Sequence, residues 1–506
     1  MLSNRLHRAL LLLVMLPFYG IAQTATPDSV ALFLQQTMQA KKIPAMQVAI
    51  VREGKIIKNA AYGIANLENK VPATAESIFS INSITKAFTG VAIMQLAEAG
   101  KLKVTDPLGK HLDRLPAAWQ QITLQQVLSH ISGLPDMDGA DGLIMGKGDE
   151  QLAMDEITKQ PMALKTGEKF SYNQTGYVLL GQIITKRSGM HFTRFIEKGQ
   201  FEVAGMKLTR FGDSYDVVPN SAGSYTLTKQ KGEQFIRNDK PGVAYIQFPE
   251  FYRTAAGILS TATDMANWII ALKSGKLLRD PSSIETMWTP ATLNNGQIGG
   301  FNRLTNGYAL GWPTVTRKEH PAVAPVGGGR SALFIYLKDD LSIVVLSNLM
   351  GGNPDQFIDE IAGFYIPDMK AENGFGLSPG LRKLNTALKR SGFNKAPSAM
   401  ANLKKADQSF SVTENELNGW AYQLLAQKRF NEAMSIFKLN TGMYPKSANA
   451  FDSLAEMFEV MGDQQAALIN YKKSLALSAE NKNAAERIKA LTTALNPWRY
   501  IIGEIV

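Results

Sequence analysis

The sequence predicts a chain of the α/β class, α+β in type: an antiparallel sheet flanked by helices with a helical subdomain, followed by an all-α domain. Three observations predict it. Two strand hairpins, over residues 46–62 and 332–347, bracket a long region whose apolar pattern is mostly helical. A stretch rich in glycine and proline follows at 367–410, and beyond residue 415 the chain repeats itself with a period of 34 residues.

The first 22 residues carry Arg5, His7 and Arg8, then an apolar run over 9–21, then Gly20 and Ala22. That run is too short for a membrane span, and the pattern reads as a signal peptide cut after Ala22. The mature chain of about 480 residues is then expected to be secreted or periplasmic, with no transmembrane segment left after cleavage. Thr26-Pro27-Asp28 reads as a helix start, with Val30, Phe33, Leu34 and Met38 on one face. Residues 46–51 and 56–62 form a hairpin about Glu53-Gly54, and 332–337 with 341–347 form another about Asp339-Asp340. A sheet built from the two ends of residues 23–366, with helices inserted between them, is the economical arrangement.

Residues 367–410 contain Gly374, Gly376, Pro379, Gly380 and Pro397 and read as a linker, with one helix near 381–388. In residues 411–495, Trp420 and Leu454, Leu424 and Phe458, Ala433 and Ala467, and Phe437 and Tyr471 are each one period apart. Two helix-turn-helix units are predicted, capped by a helix over 484–491, with 496–506 as a tail. They resemble tetratricopeptide repeats, in which a small residue such as Ala433 lets two helices approach and an aromatic such as Phe437 fills the next gap. Two units are fewer than the usual three, so their open face is expected to dock on the preceding domain or on a protein partner.

Composition narrows the chemistry. There is no cysteine, so neither a disulfide nor a thiolate is available. The net charge of +10 falls to +8 without Arg5 and Arg8 and is spread thinly, which argues against a nucleic-acid partner. The five histidines show no metal-ligand spacing and no glycine-rich phosphate loop is present, so no cofactor or metal is expected.

The strongest chemical signal is Phe79-Ser80-Ile81-Asn82-Ser83-Ile84-Thr85-Lys86, followed by an apolar, helix-compatible stretch that Gly100 ends. Ser83 and Lys86 are three apart, so a helix sets both on one face near its N-terminal end. A serine hydroxyl is a weak nucleophile until a base takes its proton. A lysine desolvated under an apolar helix has its pKa lowered enough to be that base. On spacing alone a chance Ser-x-x-Lys is the commoner case, so the surrounding segments decide.

This stretch resembles the Ser-x-x-Lys segment of the serine β-lactamase and penicillin-binding-protein superfamily, and the resemblance runs from about Asp28 to Phe364. Leu128-Ser129-His130-Ile131-Ser132-Gly133-Leu134-Pro135 matches a segment of the esterase and class C-like branch, where His130 is expected to pack a loop. Phe170-Ser171-Tyr172-Asn173-Gln174-Thr175-Gly176-Tyr177 resembles the family's Tyr-x-Asn segment. Residues 206–211 and Gly257-Ile258-Leu259-Ser260-Thr261 agree further. The resemblance implies a β-lactamase-like domain with Ser83 as nucleophile, Lys86 as activating base and Tyr172 as second base. The Tyr172 phenol is expected to be acidified by the Lys86 ammonium.

Two departures matter. Gln174 stands where the family has asparagine, keeping an amide for substrate with a longer reach. Pro325-Val326-Gly327-Gly328-Gly329-Arg330-Ser331 matches the strand that carries Lys-Thr-Gly or His-x-Gly, and Val326 stands where the basic residue belongs. Gly327, Gly328 and Gly329 still let a substrate lie along the strand, and the Gly329 N–H is expected to join that of Ser83 as an oxyanion hole. Arg330 is the candidate replacement cation, though four residues of extended strand put it about 13 Å from Val326. Family esterases tolerate an apolar residue here, which implies uncharged ester or small amide and peptide substrates.

One decoy is set aside. Gly376-Leu377-Ser378-Pro379-Gly380 fits Gly-x-Ser-x-Gly, but no strand precedes it and Pro379 has no N–H for an oxyanion hole. The sequence thus predicts a serine hydrolase working through an acyl-enzyme on Ser83. Three alternatives stay open: a D-amino-acid peptidase or amidase, or a weak β-lactamase; a binding protein on an impaired hydrolase scaffold; and a repeat module for which the hydrolase is only the carrier.

Overall fold

The two hairpins pair with one another. In the computed structural model, which describes residues 27–138, 148–231 and 234–495, the strand Ala45–Arg52 lies between Lys55–Asn66 and Leu341–Ser347, antiparallel to both. Val48 faces Val345, which in turn faces Ala332 on Ser331–Tyr336, so the chain's two distant hairpins form one continuous sheet. Short strands Ala322–Val323, Pro313–Val315 and Gly307–Tyr308 extend it to one side and Val71–Pro72 to the other, and Val326–Gly327 also pairs with Ser331–Tyr336. Ser331–Tyr336 and Leu341–Ser347 are buried at every position, which is why they read as unbroken apolar runs.

The first helix spans Pro27–Lys41 and buries Val30, Leu34 and Met38; Thr26, its expected cap, lies outside the described residues. Helix Thr85–Glu98 is buried from Thr85 through Met94 and again at Leu96, around its whole circumference. Phe88 on it stacks on Trp268 at 3.9 Å, and Trp268 stacks on Trp312 at 5.6 Å. A helix buried on all sides is a fixed platform rather than a surface element. A second sheet of three short strands, Phe79–Ser80, Ile258–Ser260 and Arg210–Phe211, delivers the chain to its start.

The chain divides between Tyr365 and Ile366 into two compact units. Residues 367–410 are not the linker expected: they hold helices Pro379–Ser391 and Ala396–Ala406. Leu381, Leu384, Leu388, Ala396 and Met400 share one core with Leu417, Trp420 and Phe437. The punctuating residues mark helix ends instead of coil. The Ser378 hydroxyl accepts from Leu381 N–H as an N-cap and Pro379 occupies the first turn, so the Gly-x-Ser-x-Gly stretch is a helix start.

Helices Glu414–Ala426, Phe430–Met443, Ala448–Val460, Gln464–Leu477 and Lys482–Leu495 complete this all-helical unit. Ala433, Ala467, Phe437 and Tyr471 are fully buried, and the Tyr422 hydroxyl bonds Glu456, 34 residues on. The expected signal peptide at 1–22 and the tail at 496–506 lie outside the described residues. No described helix is long and apolar enough to cross a membrane.

Candidate active site

Ser83 lies in a single 3-10 turn, Asn82–Ile84, that runs directly into helix Thr85–Glu98. The turn is clamped from two sides. Ile81 N–H donates to the Ile258 carbonyl at 3.0 Å, and the Ser331 hydroxyl donates to the Ile81 carbonyl at 2.8 Å. Asn82 takes a left-handed φ of 48°, which asparagine tolerates better than most residues, and its Oδ1 accepts from the Ser80 hydroxyl. Backbone held this way fixes the direction in which Ser83 projects.

Lys86 follows in the first turn of the helix, 1 % exposed. Its Nζ donates to Gln174 Oε1 at 2.7 Å and to the Ala255 carbonyl at 2.9 Å. A neutral amine has two N–H bonds and one lone pair, so these acceptors occupy both hydrogens and leave the lone pair able to take a proton. Burial lowers the Lys86 pKa from 10.5 to about 7, against the pull of Asp136 and Asp138 in the other direction. Desolvation wins because the ammonium has given up its water while the aspartates act at longer range.

Tyr172 precedes helix Thr175–Ser188 and is hydrogen-bonded through its hydroxyl to Ser83. Its ring sits under Lys86 Nζ, 4.6 Å from ring centre to nitrogen. The expectation of an acidified phenol is overturned. The dense protein around the hydroxyl pushes its pKa well above the usual phenol range, the Ser83 bond opposes this only in part, and Asp136 and Asp138 add to the rise. Burial outweighs the Ser83 bond, so Tyr172 keeps its proton.

His130 packs where a structural residue was expected. Its ring lies 4.3 Å from that of Tyr172, and its Nδ1 accepts from Asn173 N–H at 3.0 Å, which leaves the proton on Nε2. Burial and the nearby Lys86 hold its pKa well below the ordinary value, so the imidazole is neutral. Gln174 was expected to face substrate, and its amide oxygen is instead committed to Lys86. Its backbone N–H donates to Asp136 Oδ1 at 2.8 Å. Asp136 and the Ala255 carbonyl were not found by sequence reasoning. A carbonyl carries no side-chain signal, and Asp136 lies one residue past the matching segment that ends at Pro135.

Val326–Gly327 pairs with Ser331–Tyr336 around the three-residue turn 328–330, in which Gly328 and Gly329 have φ of 53° and 61°. Both angles are left-handed, the conformation that a tight hairpin of this kind needs and glycine supplies. Arg330 N–H closes the turn on the Gly327 carbonyl at 2.9 Å. A Cβ on Gly327 would stand 2.0 Å from the Ile81 carbonyl oxygen, and one on Gly328 would stand 2.2 Å from the Asn82 amide nitrogen. The glycine turn therefore rests on the backbone just ahead of Ser83. Gly327→Ala is expected to lower kcat/KM by about 100-fold through displacement of Ser83. Gly328→Ala, which meets only a movable side chain, should cost less; parallel kinetics on the two variants check the order.

Because the chain turns at Gly328–Gly329, Arg330 does not lie along an extended strand from Val326. Its side chain hydrogen-bonds Ser224 and lines a cavity whose walls include neither Ser83, Lys86 nor Tyr172. Arg330 is thus no substitute for the cation missing at Val326. No metal-binding cluster occurs among the described residues.

Residues 30–365 match the family model described as Beta-lactamase. "Protein flp" of Staphylococcus aureus (strain N315) is 28 % identical over 327 residues, 62 % of this chain and 62 % of that protein. The chain therefore spans less than two thirds of that relative's length. "Penicillin-binding protein 4*" of Bacillus subtilis is 26 % identical over 307 residues, 58 % of this chain and 66 % of that one. Among solved structures, the octameric penicillin-binding protein homologue from Pyrococcus abyssi has a TM-score of 0.58 at 25 % identity, covering 71 % of this chain and 81 % of that one. A D-amino acid amidase from Ochrobactrum anthropi shares the fold at a TM-score of 0.57 and 21 % identity, over 68 % of this chain and 99 % of its own. A family match that fills the first structural unit, on a fold shared with penicillin-binding proteins, makes this chain a member of the β-lactamase family of serine hydrolases.

Proposed function

We propose that the chain is an extracytoplasmic hydrolase that transfers acyl groups to water through an acyl-enzyme on Ser83, acting on esters or small amide and peptide substrates. The observation that carries this reading is the buried Lys86 amine, brought to about 7 with both its hydrogens engaged on Gln174 and Ala255. Ser83 Oγ bonds the substrate carbonyl carbon, and its proton passes to Lys86 Nζ. The tetrahedral oxyanion rests on the N–H groups of Ser83 and Gly329. Collapse breaks the bond to the leaving group, which takes that proton from Lys86 through the Tyr172 hydroxyl. Water repeats the sequence on the acyl ester, with its proton following the reverse route, and releases the acid. Tyr172 is a neutral relay in this scheme, as its retained proton requires.

Val326 sets the substrate class. A buried substrate carboxylate without a cation is costly, and Arg330 lines a different cavity. Neutral p-nitrophenyl esters are expected to be processed at least tenfold better than matched substrates ending in a carboxylate, and Val326→Lys or Val326→His should narrow the gap. A panel of such esters, D-alanyl peptides and a cephalosporin, assayed on parent and variants, tests this; a parent that prefers the carboxylate substrates refutes it. A second reading has one observation in its favour: Asp136 and Asp138 set a negative potential at Lys86, which suits amine-bearing substrates such as D-amino-acid amides. D-alaninamide in the same panel separates the two. The signal-peptide-like pattern over 1–22 supports export, and the helix pairs of 411–495, tetratricopeptide-like in their period, support a role in docking a protein partner.

A further inference from the structure

Arg330 is buried with most of its guanidinium unanswered. It is 2 % exposed, one amino group donates to the Ser224 hydroxyl, and Nε and Nη2 have no acceptor among the described residues. Those two nitrogens form the side-on edge of a guanidinium, the fork that matches the two oxygens of a carboxylate. The residue lines a cavity of about 360 Å³ together with Ser80, Ser214, Glu68, Tyr225 and Asn348. That volume falls at the lower end of the range for small-molecule sites.

Neither acid on the cavity wall neutralises Arg330. Glu68 accepts from the Tyr225 hydroxyl, and Asp213 lies 3.7 Å from Arg253. Burial lowers the Arg330 pKa only to about 10, so the guanidinium is charged at neutral pH. An unpaired charge out of water is strongly unfavourable, and an anion entering the cavity removes that penalty. Tyr245, two-thirds exposed on the rim, faces Tyr215 with ring centres 5.7 Å apart and offers an apolar surface to the body of a ligand.

We propose that this cavity is a second small-molecule site, separate from the Ser83 centre, that binds a monovalent carboxylate on the side-on edge of Arg330. A carboxylate is favoured over a phosphate because Glu68 and Asp213 on the same wall repel a second negative charge.

The test uses the full chain with N-acetylglycine, its neutral isostere N-acetylglycinamide, and inorganic phosphate, read by calorimetry and thermal melting. N-acetylglycine should raise Tm and bind at least tenfold more tightly than the amide. Arg330→Met should erase that response and raise the Tm of the unliganded protein, since it removes an unpaired buried charge. Arg330→Lys, which keeps the charge without the fork, should weaken N-acetylglycine binding about tenfold and serves if the methionine variant does not fold. Equal responses to acid and amide, a larger response to phosphate, no response, or one that survives Arg330→Met or is unchanged in Arg330→Lys would each overturn the assignment.

Discussion

Ser83→Ala is expected to lower kcat/KM on p-nitrophenyl esters by on the order of 10⁵-fold, to the level that binding and the oxyanion donors sustain alone. The size of the effect follows from the site's economy. The Ser83 hydroxyl is bonded to a tyrosine that keeps its proton and stands three residues before a desolvated lysine. The fold should be indifferent, because Ser83 is partly exposed and its turn is held by the Ile81 carbonyl and N–H, which the substitution leaves untouched. Steady-state kinetics with melting curves check both halves; a loss of activity matched by a loss of stability would move Ser83 from the chemistry to the scaffold.

Lys86→Met carries the second large effect, a fall in kcat/KM on the order of 10³-fold to 10⁴-fold, because it removes the proton acceptor and keeps the length and apolar stem of the side chain. The parent's kcat/KM should rise with pH through about 7 as the amine loses its proton, and the variant's residual activity should lack that limb. Stability moves in a calculable direction. The folded pKa of Lys86, about 7, lies below its unfolded value of 10.5. Between those two values the unfolded chain binds more protons, so the parent gains stability as pH rises across that window. Lys86→Met removes this contribution and should be at least as stable as the parent at pH 6. Melting curves at pH 6, 7.5 and 9 on both proteins measure it, and a parent insensitive to pH in both assays would mean that the amine is not titrating where its burial places it.

The sheet was legible because its two hairpins each had a strong local pattern, and the all-round apolar character of the helix after Ser83 announced a buried element. Ser83, Lys86 and Tyr172 came together as their segments implied. What failed did so for identifiable reasons. Pro379 and Gly380 read as breakers of structure, and they open a helix whose Leu381, Leu384 and Leu388 face a core. The three glycines at 327–329 read as extended strand, and the chain instead turns at Gly328 and Gly329, packed against Ile81 and Asn82. That turn carries Arg330 into a different cavity. The direction of the Tyr172 pKa turned on burial, which spacing does not encode.

The central claim is a covalent acyl-enzyme on Ser83. Peptide mapping by mass spectrometry after brief reaction with a fluorophosphonate probe, and separately with a slowly turned-over p-nitrophenyl ester, tests it most directly. A single adduct on the peptide containing Ser83, with a labelling rate that rises with pH through about 7 and collapses in Lys86→Met, is the predicted result. An adduct on another residue, or labelling that persists in Ser83→Ala, would contradict it.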